Sequence, residues 1–197
     1  MAKLTTIGID LAKNEFAVYG LGPNGQCGWK RKLRRKQLLN QMAKLAPCKI
    51  AMEACASSHY WGRKLQALGH EVKLLPAQHV KAYLRGQKND YNDAQAIAEA
   101  CEHGRIRPVA IKSIEQQDEQ MLHKLRRSVI AERTRMGNRL RGLLAEYGVI
   151  IPKGVPALRR ELPLALEDAE NELSPRARQL LHRQYQRLLE VEEELAW

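Results

Sequence analysis

The sequence predicts an α/β domain with a mixed sheet and flanking helices, followed by an all-helical coiled-coil arm. Three observations carry that prediction. As far as Pro76, short apolar runs are divided by turn signals. Within that stretch, three hairpin-spaced strands give way to strand, helix, strand, helix, strand, the spacing of a parallel portion joined by helical crossovers. Beyond Pro108 the apolar residues recur at three, four and seven, with no strand signal between them.

The elements follow in order. Thr5-Thr6-Ile7-Gly8-Ile9-Asp10 reads as a strand ending on an acid, and Glu15 to Gly20 as its hairpin return. The turn Gly22-Pro23-Asn24-Gly25 leads to a third strand that enters the basic run Lys30-Arg31-Lys32-Leu33-Arg34-Arg35-Lys36. Leu38, Leu39, Met42 and Leu45 give one face of a helix over 36–46, ended by Pro47. Lys49-Ile50-Ala51-Met52-Glu53 is a strand whose last residue is again an acid. Ser57 or Ser58 is the expected cap of the next helix, packed through Tyr60, Trp61, Leu65 and Leu68 and closed by Gly69. Glu71 to Leu75 is the next strand, and 77–86 a helix with Val80 and Leu84 inward, broken by Gly86-Gln87-Lys88-Asn89. Asp90 caps or opens a helix packed through Ala94, Ile97, Ala98 and Cys101 and stopped by Gly104.

Arg105-Ile106-Arg107-Pro108 marks the expected boundary between a domain at 1–107 and a helical linker or dimerisation region at 108–197. Ser113-Ile114-Glu115-Gln116 resembles a capping box opening a long helix, with Leu122, Leu125, Val129, Met136, Leu140, Leu143 and Tyr147 along it. Arg126, Arg127, Arg133, Arg135, Arg139 and Arg141 crowd the same segment: a long positive face for nucleic acid, or solvated helix arginines. Gly148 to Pro163 reads as a loop. Ser174-Pro175 opens a second arm through Leu180, Leu181, Tyr185, Leu188, Val191 and Leu195, which stops at Trp197 in mid-pattern.

A formal charge of +11 and a pI near 9.7 favour a polyanionic partner over a small neutral metabolite. Lys30, Arg31, Lys32, Arg34, Arg35 and Lys36 are candidate phosphate contacts on an exposed strand edge, and they also keep such an edge from pairing with another chain. No apolar segment is long enough to cross a bilayer, and no signal peptide pattern opens the chain. Cys27, Cys48, Cys55 and Cys101 are scattered, without disulfide density or paired zinc spacing, so a cytoplasmic setting is expected.

Four acids carry the chemistry. Asp10 and Glu53 close strands that the topology can make neighbours, and Asp90 and Asp93, three apart, can share a helix face. Gathered, they repel unless protons or cations intervene, and their hard oxygens suit two magnesium ions. Such a pair of ions activates an attacking hydroxyl and stabilises a leaving oxygen in phosphoryl chemistry. The alternative assigns Asp90 to capping, Asp93 to solvent, and Asp10 and Glu53 to turns.

Gly8-Ile9-Asp10, Met52-Glu53-Ala54 and Lys88-Asn89-Asp90-Tyr91-Asn92-Asp93-Ala94, in that order, resemble the DEDD signature of insertion-sequence transposases with a RuvC-like domain, a group related to pilin gene invertases. The resemblance implies a ribonuclease H-like (RuvC-like) fold to about Arg107 and a coiled-coil linker behind it. It implies Asp10, Glu53, Asp90 and Asp93 as catalytic magnesium ligands. DNA, a structured bridge RNA, and a homodimer or a tetramer on DNA are the implied partners, with no membrane. Lys30 to Lys36, Lys88 and the arginine-rich arm then become backbone contacts. Members of this family continue into a smaller domain that carries a nucleophilic serine, with no counterpart in this sequence. The chain is thus expected to be an N-terminal part that binds metal and nucleic acid but recombines DNA poorly. Ser57, Ser58, Ser113, Ser128 and Ser174 fit caps or surface positions.

Two other functions fit the residues: a hydrolytic Holliday-junction-type nuclease, and a non-catalytic nucleic-acid-binding assembly module. His59, His79, Tyr60 and Trp61 read as packed or surface residues. Aromatic content is too low to indicate a base-stacking platform from composition.

Overall fold

The computed structural model describes residues 4–84, 89–103 and 105–195. Lys88, the break around Gly86, the stop at Gly104 and the terminal Trp197 lie outside the described residues. The chain divides into two compact units, Met1–Glu115 and Gln116–Trp197.

The first unit is built on a five-stranded sheet of β1 (Thr6–Asp10), β2 (Glu15–Leu21), β3 (Cys27–Arg34), β4 (Lys49–Glu53) and β5 (Glu71–Leu75), in the order β3-β2-β1-β4-β5. β2 is antiparallel to both β1 and β3, while β4 and β5 run parallel to β1. The resulting mixed sheet, with helices on its faces, is ribonuclease H-like, the fold the sequence led us to expect.

Strand alternation sorts the residues onto two faces. Ile7, Ile9, Phe16, Val18, Ile50, Met52 and Leu74 form one core with α1 (Leu38–Met42) and α2 (Ser58–Ala67). The opposite face carries small residues, Gly8, Ala17 and Ala51, together with Tyr19, beneath α4 (Asp90–Glu102) through Ala94, Ala96, Ile97, Ala98 and Ala100. Alanine on both sides lets this helix lie close to the sheet. The helix expected over 77–86 is shorter: α3 (Ala77–Val80) passes into a 3-10 turn, Lys81–Tyr83. The helix expected over 36–46 likewise opens as a 3-10 turn, Arg35–Gln37, before α1.

Neither serine caps α2 with its side chain. Ser57 takes the cap position without a side-chain bond, and the Ser58 hydroxyl instead donates to the Cys55 carbonyl at 2.9 Å. The segment after α4 returns to the first unit: Val109 bridges Leu74, and the Lys112 amide donates to His59 Nδ1 at 3.2 Å.

The second unit consists of most of α5 (Ile114–Ala145), with α6 (Val155–Glu167) and α7 (Pro175–Glu194). Met136, Leu140 and Leu144 of α5 pack with Leu158 and Leu162 of α6 and with Leu181, Tyr185, Leu188 and Val191 of α7. Leu122, Leu125, Leu143 and Tyr147, expected on the packed face of α5, are exposed. The Ser174 side chain caps α7, accepting from the Ala177 amide at 3.1 Å.

The loop expected over 148–163 is largely α6, with Pro163 inside it. An interior proline removes the amide that would satisfy the carbonyl four residues earlier. Here that carbonyl belongs to Arg159, and the Tyr185 hydroxyl of α7 donates to it at 3.3 Å. Tertiary packing thus replaces the bond that the proline deletes. At the far end of α6, Arg178 donates to the carbonyls of Ala165, Leu166 and Asp168, acting as a cap from the neighbouring helix.

Candidate active site

Register brings the first two acids together. In the parallel pair β1 and β4, Ile9 lies opposite Met52, so Asp10 and Glu53 leave the same end of adjacent strands. Ile9 and Met52 enter the core beneath α1 and α2, and the alternation therefore turns Asp10 and Glu53 to the face covered by α4. α4 delivers Asp93 from its first turn. Its N-cap is Asn89, whose side chain accepts from the Tyr91 amide at 3.0 Å; Asp90 itself does not cap.

Electrostatics tie three of these acids to one place. Burial, then the Asp93 carboxylate, push the Glu53 carboxyl above its ordinary range, and Lys81 opposes them. Burial, then the charges of Glu53 and Asp10, push up the Cys55 thiol. Asp10, Glu53 and Asp93 thus act on one neighbourhood beside β4. Ser57, four residues beyond Glu53, holds a left-handed backbone with φ 71° although it is not glycine. Such a conformation costs on the order of 1–3 kcal/mol and fixes the exit of the chain from β4.

Asp90 stands apart. Lys32 Nζ lies 2.7 Å from its carboxylate, and this hydrogen bond holds the Asp90 carboxyl below the usual range and raises the Lys32 ammonium. Both side chains are exposed, so the pair contributes little to stability. It does engage Asp90 away from the other three acids.

The donor set is one of hard carboxylate oxygens, which fits a divalent cation such as magnesium. Repulsion between Glu53 and Asp93, which Lys81 opposes, adds a demand for positive charge at that point. Among the described residues, however, no three His, Cys, Asp or Glu side chains form a group that holds an ion. The acids are near one another, but in this arrangement they do not close a ligand shell.

The basic run lies on β3, at one edge of the sheet, and continues through Arg35 and Lys36 in the 3-10 turn that follows. Lys30 Nζ sits 4.4 Å from the Tyr91 ring centre, and Arg35 stacks 5.1 Å from Trp61. Arg31, Arg34 and Lys36 are exposed. In the second unit Arg126, Arg127, Arg135 and Arg139 are exposed, whereas Arg133 is 3.9 Å from Glu192 and Arg141 bonds Asn138. Sequence reading missed Lys81, which acts on Glu53, and Gly8, whose lack of a side chain admits α4. The GID context marked Asp10, but nothing local to the sequence marks Gly8 as a contact point.

A ribonuclease H-like mixed sheet with acids at the ends of the neighbouring strands β1 and β4 is the frame of this site. The family model for DEDD transposases of the IS110 type, described as a transposase, matches residues 7–149, and the chain belongs to that family. It is 45% identical over 147 residues to a probable family 20 transposase of Pseudomonas aeruginosa, covering 75% of this chain and 44% of that protein. It is 38% identical over 193 residues to the transposase for insertion sequence element IS1111A of Coxiella burnetii, covering 98% of this chain and 53% of that one. Thermus thermophilus RuvC aligns at a TM-score of 0.40 with 12% identity, over 53% of this chain and 99% of that structure. The chain spans about half the length of the curated relatives it matches.

Proposed function

We propose that this chain is the catalytic part of a metal-dependent DNA transposase or recombinase that cleaves and exchanges DNA strands under the guidance of a structured RNA. The observation that carries the reading is the common neighbourhood of Asp10, Glu53 and Asp93 in a chain of the DEDD family. Asp10, Glu53 and Asp93 are the residues to hold magnesium, with Asp90 joining them when Lys32 turns to a phosphate. Magnesium bound there supplies an activated attacking oxygen and neutralises charge on the phosphate. Lys81 limits the repulsion at Glu53 before any cation arrives.

In this reading residues 1–107 form the RuvC-like catalytic domain and 108–197 a coiled-coil region that joins protomers into a dimer, or a tetramer on DNA. The exposed arginines of α5 and the basic edge of β3 hold DNA and RNA backbones, while pairing by a bridge RNA selects sequence. Among the described residues no helix is long and apolar enough to cross a membrane, and all four cysteines are free thiols. The test is nicking of DNA by the chain in magnesium, with Asp10→Asn beside it. Nicking that disappears in the variant and with chelator supports the reading; nicking undiminished in Asp10→Asn places the chemistry elsewhere.

A further inference from the structure

A cavity of about 240 Å³ opens at the edge of the sheet, away from the acids, where β3 meets the end of α1. Trp29, Arg31, Gln41, Lys44 and Leu45 line it, and Gly28 and Leu4 complete the wall. Trp29, Arg31 and Leu33 share the strand face turned to α1, while Lys30 and Lys32 occupy the other. The volume lies below the roughly 300–1,000 Å³ of pockets for drug-sized ligands, a size for a single small ring system. Its lining has two cations and no acid, which excludes a cationic ligand and favours one bearing phosphate.

We propose that this cavity receives one unstacked nucleotide of a single-stranded segment: its base lies against the Trp29 indole, the Gln41 amide meets its hydrogen-bonding edge, and Arg31 and Lys44 hold the flanking phosphates. An indole gives every base a stacking surface, and an amide donates and accepts at once. The strand continues the path. Arg34, Arg35 and Lys36 line an open basin with Asn14, Glu15 and Gln37, beginning about 10 Å along β3 from Arg31. Three cations against one acid leave that basin net positive, so a single strand that leaves a base in the cavity and passes around the sheet edge finds further phosphate partners there. The site rests on the proposed nucleic-acid function and gives it a point of base contact that phosphate binding alone does not supply.

The test is a binding titration of the full chain with fluorescent single-stranded oligonucleotides, in RNA and DNA arms, each paired with an analogue of the same length made wholly of abasic residues. The wild type binds the base-bearing strand more tightly than the abasic one, by a factor on the order of 5 to 150. Trp29→Ala abolishes that preference, Trp29→Phe keeps most of it, and the salt dependence is the same for all three. Because Trp29 is half-buried, the exposed Lys44→Glu serves as a second variant, and it weakens the base-bearing strand by tenfold or more. The arm with the larger preference identifies RNA or DNA as the occupant. Equal binding of base-bearing and abasic strands, or a preference intact in Trp29→Ala, overturns the cavity while leaving nucleic-acid binding in place. No binding in any arm overturns both.

Discussion

Gly8→Ala tests how the sheet carries the acids. A Cβ built on Gly8 lies 2.1 Å from the Ala94 carbonyl oxygen, 2.6 Å from the Ala98 amide nitrogen and 2.9 Å from the Ala98 Cβ. Two of these neighbours are backbone, so no side-chain rotation relieves them. Restoring ordinary contact requires α4 to retreat by roughly 1 Å or more. Its packed alanines, Ala94 and Ala98, are fully buried and leave with it. Overpacking a core costs about 1–3 kcal/mol, and with a rigid neighbour the upper end applies, near 3 kcal/mol. For a unit of this size that is a fall of roughly 12 °C in Tm. The assay is chemical and thermal denaturation of the chain, with Gly142→Ala as the matched substitution. Nothing lies within 4 Å of a Cβ at Gly142, inside α5, so alanine there stabilises by about 0.5–1 kcal/mol through helix propensity. A Gly8→Ala protein within about 0.5 kcal/mol of wild type, scatter typical of neutral surface changes, refutes the argument that α4 is seated on Gly8.

Two further outcomes follow from bonds in the two units. The buried Thr6 hydroxyl donates to Glu102, and Lys49 lies 3.5 Å from the same carboxylate. With the Thr6 bond as the largest cause, the Glu102 carboxyl is held below its ordinary value of 4.5, so its contribution to stability is present above that pH and is lost as pH falls through the folded value. Glu102→Gln is accordingly less stable than wild type at pH 7, and urea midpoints measured from pH 7 to pH 3 converge at the acid end. Tyr185→Phe removes the donor that serves the Arg159 carbonyl left by Pro163, and calorimetry of the chain shows a loss of about 0.5–1.5 kcal/mol in the second unit.

Much of this was legible in the sequence because it rests on period and punctuation. Alternation alone puts Ile7 and Ile9 on one face and Asp10 on the other, and two hairpin turns followed by helical crossovers give a sheet of mixed direction. The three blocks around Asp10, Glu53 and Asp93 pointed to the family that the relatives show. What was not legible depends on contacts distant in sequence. Asp90 looked equivalent to Asp93, yet Lys32, on a strand far earlier, engages it. Pro163 looked like a breaker because the hydroxyl that compensates it comes from Tyr185 on another helix. Leu122 and Leu125 keep the apolar period of a packed helix but are exposed in the described chain. Trp29 carries no local mark of a cavity; only the sheet edge and the end of α1 together make one.

The measurement closest to the central claim is manganese binding, followed by paramagnetic resonance of the free ion, for the wild type and for Asp10→Asn, Glu53→Gln and Asp93→Asn. Manganese is a hard divalent probe for a carboxylate site. The account predicts saturable binding by the wild type that magnesium competes away, and a loss of tenfold or more in affinity in each variant. Binding unchanged by all three substitutions, or no binding by the folded wild type, contradicts the assignment of Asp10, Glu53 and Asp93 as the metal-holding core of this protein.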